Sequence, residues 1–298
     1  MRYLDPKADL TFKRVFGEHP DLVMSFLNAL LPLNEGEEIT DIEYLSPEIV
    51  PDHPLRKNSI VDVRCKDRKG RLFIVEMQMI WSPEYQQRVL FNASKAYVRQ
   101  LGKKEEYKLL QPVYSLNLIN EIFEPELDGY YHYYKMVHVE HTEKVIDGLH
   151  LIFIELPKFA SRAYQAKRMQ VLWLRYLTEI SEETREVPQE LLENPEVKKA
   201  VTALEESAFT DAQLLGYDDF WDVIRTEITR VNSAERKGMK KGIEKGIEKG
   251  IEKGIEKGIE KGREEEKRTI ARNLKQIGAT TEMISNATGL SAEEIAEL

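Results

Sequence analysis

Asp62, Glu76 and Gln78 are the residues whose types and spacing best suit metal-assisted chemistry in this 298-residue chain. They lie within residues 59–66 and 71–79, two stretches whose apolar and β-branched residues predict β-strands. Because side chains alternate along a strand, Glu76 and Gln78 share one face. The spacing therefore places a carboxylate and an amide on one strand, with a second carboxylate on the strand before it.

The segment between the two strands, residues 67–70, predicts a tight turn because it ends in a glycine. With a three-residue loop centred on Lys69, Asp62 and Glu76 are equidistant from the centre and lie opposite each other. Opposed side chains on one face are roughly 5 Å apart at Cβ. The other face carries a continuous apolar row that indicates the core side: Val61, Val63, Cys65, Val75, Met77 and Met79. A slip of one residue in the pairing would separate the two carboxylates.

Two carboxylates at this spacing repel each other, and a proton, a basic side chain or a metal ion must offset the repulsion. Mg²⁺ suits oxygen ligands and usually keeps several waters. A metal held there could polarise a phosphate and supply a bound hydroxide, while Gln78 would contact the attacking water or the metal shell. The alternative is structural, because half-exposed strands commonly present Asp and Glu to solvent.

The elements around this hairpin predict a mixed α/β domain. An amphipathic helix over residues 5–16 is expected to end at Gly17, and a second helix is expected to follow Pro20. Other segments have strand, loop or helix patterns: strands over residues 39–45, 112–120, 130–139 and 149–156, a loop at Pro47, Pro51 and Pro54, and helices over residues 85–101 and from 161 to about 230.

Composition narrows the class of protein. The net charge of −9 and pI of about 5.4 argue against a protein that coats DNA non-specifically, which would need clustered Lys and Arg. The single cysteine, Cys65, cannot form an internal disulfide. No signal peptide and no apolar run of membrane-spanning length is recognisable. We therefore expect a cytoplasmic protein that does not engage a membrane.

Several motifs together resemble the Rpn-like family of recombination-promoting nucleases, also described as transposases of the PD-(D/E)XK superfamily. These motifs occur in the family's order over about the first 160 residues: Asp9-x-x-Phe12-Lys13-x-x-Phe16-Gly17, Ile60-Val61-Asp62-Val63, Val75-Glu76-Met77-Gln78, Arg88, Tyr97, Gln100, Tyr107 and Pro112-Val113-Tyr114. The resemblance implies a restriction-endonuclease-like mixed sheet flanked by helices, followed by an α-helical C-terminal region. It also implies DNA cleavage that depends on Mg²⁺ or Mn²⁺.

The resemblance assigns roles to six residues. Asp62 and Glu76 would be the metal ligands, and Gln78 stands where the superfamily usually has a catalytic lysine. Asp9 would complete the acidic cluster, and two cations, Lys13 and Arg88, would contact phosphate. Each of the last three has a structural alternative: Asp9 as an acid favoured in a first helical turn, Lys13 as a solvated charge, and Arg88 as a member of an ion pair.

The C-terminal third has a different character. We predict four segments: a nuclease-like domain over residues 1–160, a helical extension over 161–235, a repeat segment over 236–268 and a small helix-turn-helix-like motif over 269–298. The tetrad Lys-Gly-Ile-Glu recurs from residue 241 to 260. Its period of four drifts by roughly 40° per repeat around a helix, so two interpretations stay open: a solvated spacer, or a helix stabilised by pairing with another chain.

In the final motif, Thr281 and Ser291 are predicted N-caps, and Glu294 completes a capping box with Ser291. The last helix is acidic, which favours packing over base reading. Taken together, the sequence predicts a metal-dependent DNA endonuclease. The alternative is an inactive nuclease-fold protein that forms homo-oligomers through its C-terminal tail.

Overall fold

A computed structural model describes residues 2–49, 59–102, 104–159 and 168–298. Two compact units are present, Met1–Ile228 and Thr229–Leu298. The predicted boundary at residues 160 and 161 and the loop prolines Pro51 and Pro54 lie outside the described residues.

The described elements follow one another in this order: α1 (Asp9–Glu18), α2 (Pro20–Leu30), β1 (Glu43–Tyr44), β2 (Glu48–Ile49), β3 (Ser59–Ile60), β4 (Val63–Lys66), β5 (Leu72–Gln78), α3 (Glu84–Val98), β6 (Val113–Ile119), β7 (Tyr131–Val137), β8 (Val145–Glu155), α4 (Arg168–Glu179), α5 (Gln189–Glu193), α6 (Pro195–Thr202), α7 (Asp211–Gln276), α8 (Thr281–Thr288) and α9 (Ala292–Ala296). The boundary between the two units falls within α7.

Six strands form one mixed sheet in the order β1-β4-β5-β6-β8-β7. The β4–β5 and β7–β8 pairs are antiparallel, whereas β5–β6 and β6–β8 are parallel. The helix α3 makes the crossover between the parallel strands β5 and β6, as such a connection requires. The expected restriction-endonuclease-like α/β fold, with its helical C-terminal region, is confirmed.

Both faces of the sheet are covered by helices. One face shares a core with α1, α2, α4 and α6 around aromatic rings such as Phe16 and Trp173, whose centroids are 5.6 Å apart. The other face packs against α3, where Ile74 of β5 meets Ala93 and Ala96. Because side chains alternate along β5, Val75 enters the first layer while Glu76 faces α3.

The β4–β5 hairpin has the predicted register. Val63 pairs with Val75 and Lys66 pairs with Leu72, so the pairing is centred on Lys69. Gly70 has φ +82°, a left-handed conformation that favours glycine. Beside the turn, the buried Arg71 donates from Nε to Asp67 Oδ2 at 2.7 Å, which fixes the two strand ends together.

Several expectations about local structure are wrong for identifiable reasons. The helix α1 continues through Gly17 to Glu18, and it ends because His19 precedes a proline, which disfavours the helical conformation. The strand expected over residues 39–45 is reduced to β1, since the backbone of Ile39 is bonded to the side chain of Asn28 instead of to a strand.

The strand expected over residues 59–66 is interrupted between β3 and β4. Val61 donates its backbone N–H to Pro47, and its side chain packs with Ile74 and Ala93, on the α3 side of the sheet. It therefore does not belong to the apolar row expected on the opposite face. The interruption leaves Asp62 just before β4, where its side chain bonds to the backbone of β5.

The unit Thr229–Leu298 contains the repeat, which is helical throughout, and the two short helices α8 and α9. The five repeat isoleucines are each more than half exposed. Thr280, and not Thr281, accepts from the backbone of Met283 as the N-cap of α8, and the capping box of Ser291 and Glu294 is confirmed. No helix among the described residues is long and apolar enough to cross a bilayer.

Candidate metal centre

Asp62 and Glu76 line one cavity of about 480 Å³ between the sheet and α3. The hairpin register brings them to adjacent strands, because the pair Val63–Val75 directly follows them toward the turn. Gln78 lies two residues beyond Glu76 and lines the same cavity. The structure therefore collects the three side chains that the sequence singled out. Other described residues around the cavity are Ser59, Ile60, Met77, Glu84, Gln87, Arg88, Phe91 and Asn92.

The carboxylate of Asp62 is held by the neighbouring strand. Its Oδ2 accepts the backbone N–H of Met77 at 2.7 Å. Its Oδ1 accepts no hydrogen bond from any residue that the structure describes. Burial raises the pKa of Asp62, and the Met77 hydrogen bond partly opposes that rise. One oxygen is thus fixed in place while the other is available to a ligand.

Glu76 is only 5% exposed and has two polar partners on α3. Asn92 donates from Nδ2 to Glu76 Oε1 at 3.2 Å, and Arg88 Nη2 lies 3.6 Å from Glu76 Oε2. Burial raises the pKa of Glu76 to about 7, and the charge of Asp62 adds to the rise, while Arg88 and Asn92 oppose it. A nearby cation would stabilise the ionised form of this buried carboxyl and lower its pKa.

Gln78 and Arg88 are bonded to each other. Arg88 Nη2 donates to Gln78 Oε1 at 2.8 Å, and Gln78 Nε2 donates to the carbonyl of Ile80 at 2.6 Å. The guanidinium also lies 4.6 Å from the ring centroid of Tyr85. The ion pair considered as a structural alternative for Arg88 is therefore present, and it involves the carboxylate of Glu76.

Asp9 and Lys13 lie outside this cavity. They form an ion pair at 2.6 Å on the first turns of α1 and line a separate cavity with Arg14. Their charges still reach Asp62, since Lys13 lowers the pKa of that carboxyl and Asp9 raises it, after the larger effect of burial. Within the described ranges, no group of three or more His, Cys, Asp or Glu could hold a metal ion.

Asn92 is a cavity residue that contacts Glu76 and that the sequence patterns did not single out. It is buried on the face of α3 that meets the sheet, among Tyr85, Val89, Ala93 and Ala96. An amide within such an apolar stripe is the signal that could have identified it, because a buried amide needs a polar partner. Asn117 of β6 is a second buried amide that the patterns did not single out; it does not line the cavity and accepts from the hydroxyl of Tyr85.

The donor set is suited to a hard divalent cation. Two carboxylates and the amide oxygen of Gln78 offer oxygen atoms only, and one of these, Asp62 Oδ1, is without a protein partner among the described residues. Fewer than six protein ligands fits an ion that retains several waters, as Mg²⁺ does. The residues present therefore fit the ion that the fold would require.

A mixed sheet with an acidic pair on adjacent strands, covered by a crossover helix, defines the class of restriction-endonuclease-like nucleases. A sequence profile described as PD-(D/E)XK nuclease family transposase matches residues 6–233. The chain belongs to this family, which confirms the resemblance stated from its motifs and places the protein among nucleases. No curated protein and no solved structure matched the chain.

Proposed function

We propose that this protein is a metal-dependent DNA endonuclease of the recombination-promoting type, acting in recombination or mobile-element biology. The observation that carries the proposal is the cavity shared by Asp62 and Glu76, because burial raises the pKa of both carboxyls. Each would be stabilised in its ionised form by one divalent cation between them. Mg²⁺ or Mn²⁺ is the proposed cofactor, and Asp62 and Glu76 are its proposed ligands.

When bound there, the ion would polarise a phosphate oxygen and increase the acidity of a coordinated water. The protein's own residues have positional roles. Met77 fixes Asp62 through its backbone N–H, and Asn92 orients Glu76 through its amide. Gln78 has no titratable group, so it can orient a water but cannot take its proton.

Two cations are proposed to contact the DNA backbone. Arg88 lines the cavity and is about half exposed, so its fork of N–H groups can reach a phosphate at the cavity mouth. Lys13 is similarly exposed on α1, beside a neighbouring cavity. Asp9, its ion-pair partner, is proposed to tune Asp62 through charge, because it does not line the cavity of Asp62 and Glu76.

A plasmid-cutting assay tests the proposal. Supercoiled plasmid is incubated with Mg²⁺ and the wild-type protein, Asp62→Ala or Glu76→Gln, with chelator as a blank. Glu43→Gln is the matched control, because Glu43 is an exposed carboxylate on β1 that pairs with Lys66. We expect cutting by wild type and Glu43→Gln only. Cutting by Asp62→Ala or Glu76→Gln at the wild-type rate would reject the assignment.

The exposed isoleucines of the repeat favour a second candidate function. A nuclease-fold protein without activity could assemble with copies of itself through Ile243, Ile247, Ile251, Ile255 and Ile259, each more than half exposed. Contiguous apolar groups on a surface commonly mark interaction sites. This candidate predicts no metal-dependent cutting and a change in mass by light scattering when residues 241–262 are deleted.

A further inference from the structure

The guanidinium of Arg88 lies against two of the three side chains that would surround the metal. It is hydrogen-bonded to Gln78 Oε1 at 2.8 Å and lies 3.6 Å from Glu76 Oε2. We propose that Arg88 is a displaceable cation that competes with the divalent ion for Glu76, and so couples metal binding to DNA binding. This inference rests on the proposed nuclease function.

The contact between Arg88 and Glu76 is weak enough to be displaced. At 3.6 Å the two groups form an ion pair without a close hydrogen bond, and the Arg88 side chain is 47% exposed. Because the guanidinium is about half exposed, water can replace its contact with Glu76 on the arginine's side. The ring of Tyr85, 4.6 Å from the guanidinium, supports the arginine by a contact that does not involve Glu76.

The charges that line the cavity explain how Arg88 would affect the affinity for a metal ion. Among the described residues that line it, Asp62, Glu76 and Glu84 are acidic and Arg88 is the one permanent cation. With Arg88 in contact, part of the negative potential at Glu76 is already offset. When Arg88 leaves, the two central carboxylates lose that compensation and attract a divalent ion more strongly.

DNA supplies a reason for Arg88 to leave. A phosphate offers the planar guanidinium two parallel charge-assisted hydrogen bonds, a stronger arrangement than its bond to the neutral amide of Gln78. A phosphate that engages Arg88 therefore frees Glu76 for the metal, and a metal that engages Glu76 frees Arg88 for phosphate. By linkage, each ligand must strengthen the binding of the other by the same factor.

The test is Mn²⁺ binding by the full chain without DNA, followed by the electron paramagnetic resonance signal of free Mn²⁺. The variants are Arg88→Met, which keeps the stem length, and Arg88→Lys, which keeps a charge but not the fork. The matched control is Arg14→Met, because Arg14 also lies over an aromatic ring, Phe209 at 4.2 Å, and does not line the cavity of Asp62 and Glu76. Circular dichroism melts establish that all variants are folded.

We expect Arg88→Met to bind Mn²⁺ about fivefold more tightly than wild type, as loss of one competing, half-exposed cation implies, with Arg88→Lys between them. Arg14→Met should match wild type.

In a second arm, a short phosphorothioate duplex that resists hydrolysis should tighten Mn²⁺ binding by wild type more than by Arg88→Met. Equal Mn²⁺ affinity of wild type and Arg88→Met would overturn the inference while leaving the nuclease proposal intact. Absence of Mn²⁺ binding by every variant, with and without duplex, would overturn both.

Discussion

Asn92 of α3 reaches across to β5 and donates its amide to Glu76 Oε1 at 3.2 Å. Both side chains are buried, and the bond favours the ionised form of a carboxylate that burial would otherwise neutralise. Through this bond, the rotation of α3 about its axis affects the orientation of Glu76, a proposed metal ligand. The bond therefore makes Asn92 a positioning residue whose effect can be measured through Glu76.

Replacing Asn92 with alanine should lower the rate of plasmid cutting by about tenfold, the usual loss when a residue that supports a metal ligand is removed. Because the amide lowers the pKa of Glu76, its loss should also move the rise of the pH–rate profile to higher pH. The profile is measured with saturating Mg²⁺ for wild type and Asn92→Ala.

Asn28→Ala is the control for the loss of an amide that fixes a neighbouring segment by hydrogen bonds. The side chain of Asn28 makes two hydrogen bonds to the backbone of Ile39 and does not contact the cavity of Asp62 and Glu76. The substitution should reduce stability without changing the pH at which cutting begins. An unshifted profile for Asn92→Ala would show that the contact with Glu76 is structural only.

The raised pKa of Glu76 predicts how stability depends on pH. It is about 7 in the folded protein, against 4.5 for an ordinary glutamate. Between these values the folded state binds more protons than the unfolded state, so the free energy of unfolding falls as pH rises from about 4.5 through 7. The loss without metal should be about 1–3 kcal/mol, given the size of the shift.

Glu76→Gln removes this titration, so the variant should be more stable than wild type at about pH 8 and should lack the pH-dependent loss. Urea unfolding with chelator at about pH 5 and about pH 8 measures the difference, with Glu43→Gln as the exposed control. Mg²⁺ should restore stability to wild type at pH 8 but not to Glu76→Gln, because a ligand that binds only the folded state stabilises it. A wild-type protein equally stable at both pH values would contradict the assignment.

The hairpin shows how much could be predicted from the sequence. A loop of fixed length around Lys69 determines the register of β4 and β5, and that register brings Asp62, just before β4, beside Glu76 on the α3 side. Because side chains alternate along β5, Gln78 lies on the same side as Glu76. These are local relationships between residues fewer than twenty positions apart, and strand geometry alone converts them into proximity.

The contacts of Arg88 and Asn92 could not be predicted in the same way. A helical stripe indicates which side of α3 is buried, but not which strand residue each side chain meets, because the crossover packing fixes the helix position. Asp9 is the opposite case. Its motif suggested a place in the acidic cluster, yet α1 packs on the other face of the sheet and its first turn pairs Asp9 with Lys13.

The register itself can be tested at Gly70. Its φ of +82° is costly for other residues, and an added Cβ would lie 3.2 Å from Cγ of Gln111. Gly70→Ala should therefore lower the free energy of unfolding by about 1–2 kcal/mol. Urea denaturation measures the loss, and Gly129→Ala is the control, since a Cβ there meets no atom within 4 Å and the residue does not have positive φ.

If the turn holds Asp62 and Glu76 together, Gly70→Ala should also weaken Mn²⁺ binding at temperatures where it remains folded. Gly129→Ala should leave that binding unchanged. A Gly70 variant as stable as wild type would mean that the turn does not have the left-handed conformation and does not fix the register of β4 and β5.

The glycines of the repeat should respond to substitution with the opposite sign. Each lies inside α7, where glycine costs about 1 kcal/mol relative to alanine. An added Cβ meets nothing within 4 Å at any of the five positions, so no clash opposes the gain: Gly242, Gly246, Gly250, Gly254 and Gly258. Replacing all five with alanine should raise the helical signal that persists on heating, measured by circular dichroism at 222 nm.

Gly289→Ala is the matched control, because Gly289 ends α8 with φ +75° and its replacement should lower stability instead. Unchanged melting of the five-alanine variant would mean that the repeat is already held by contacts with another chain, which would favour the assembly role over the solvated spacer.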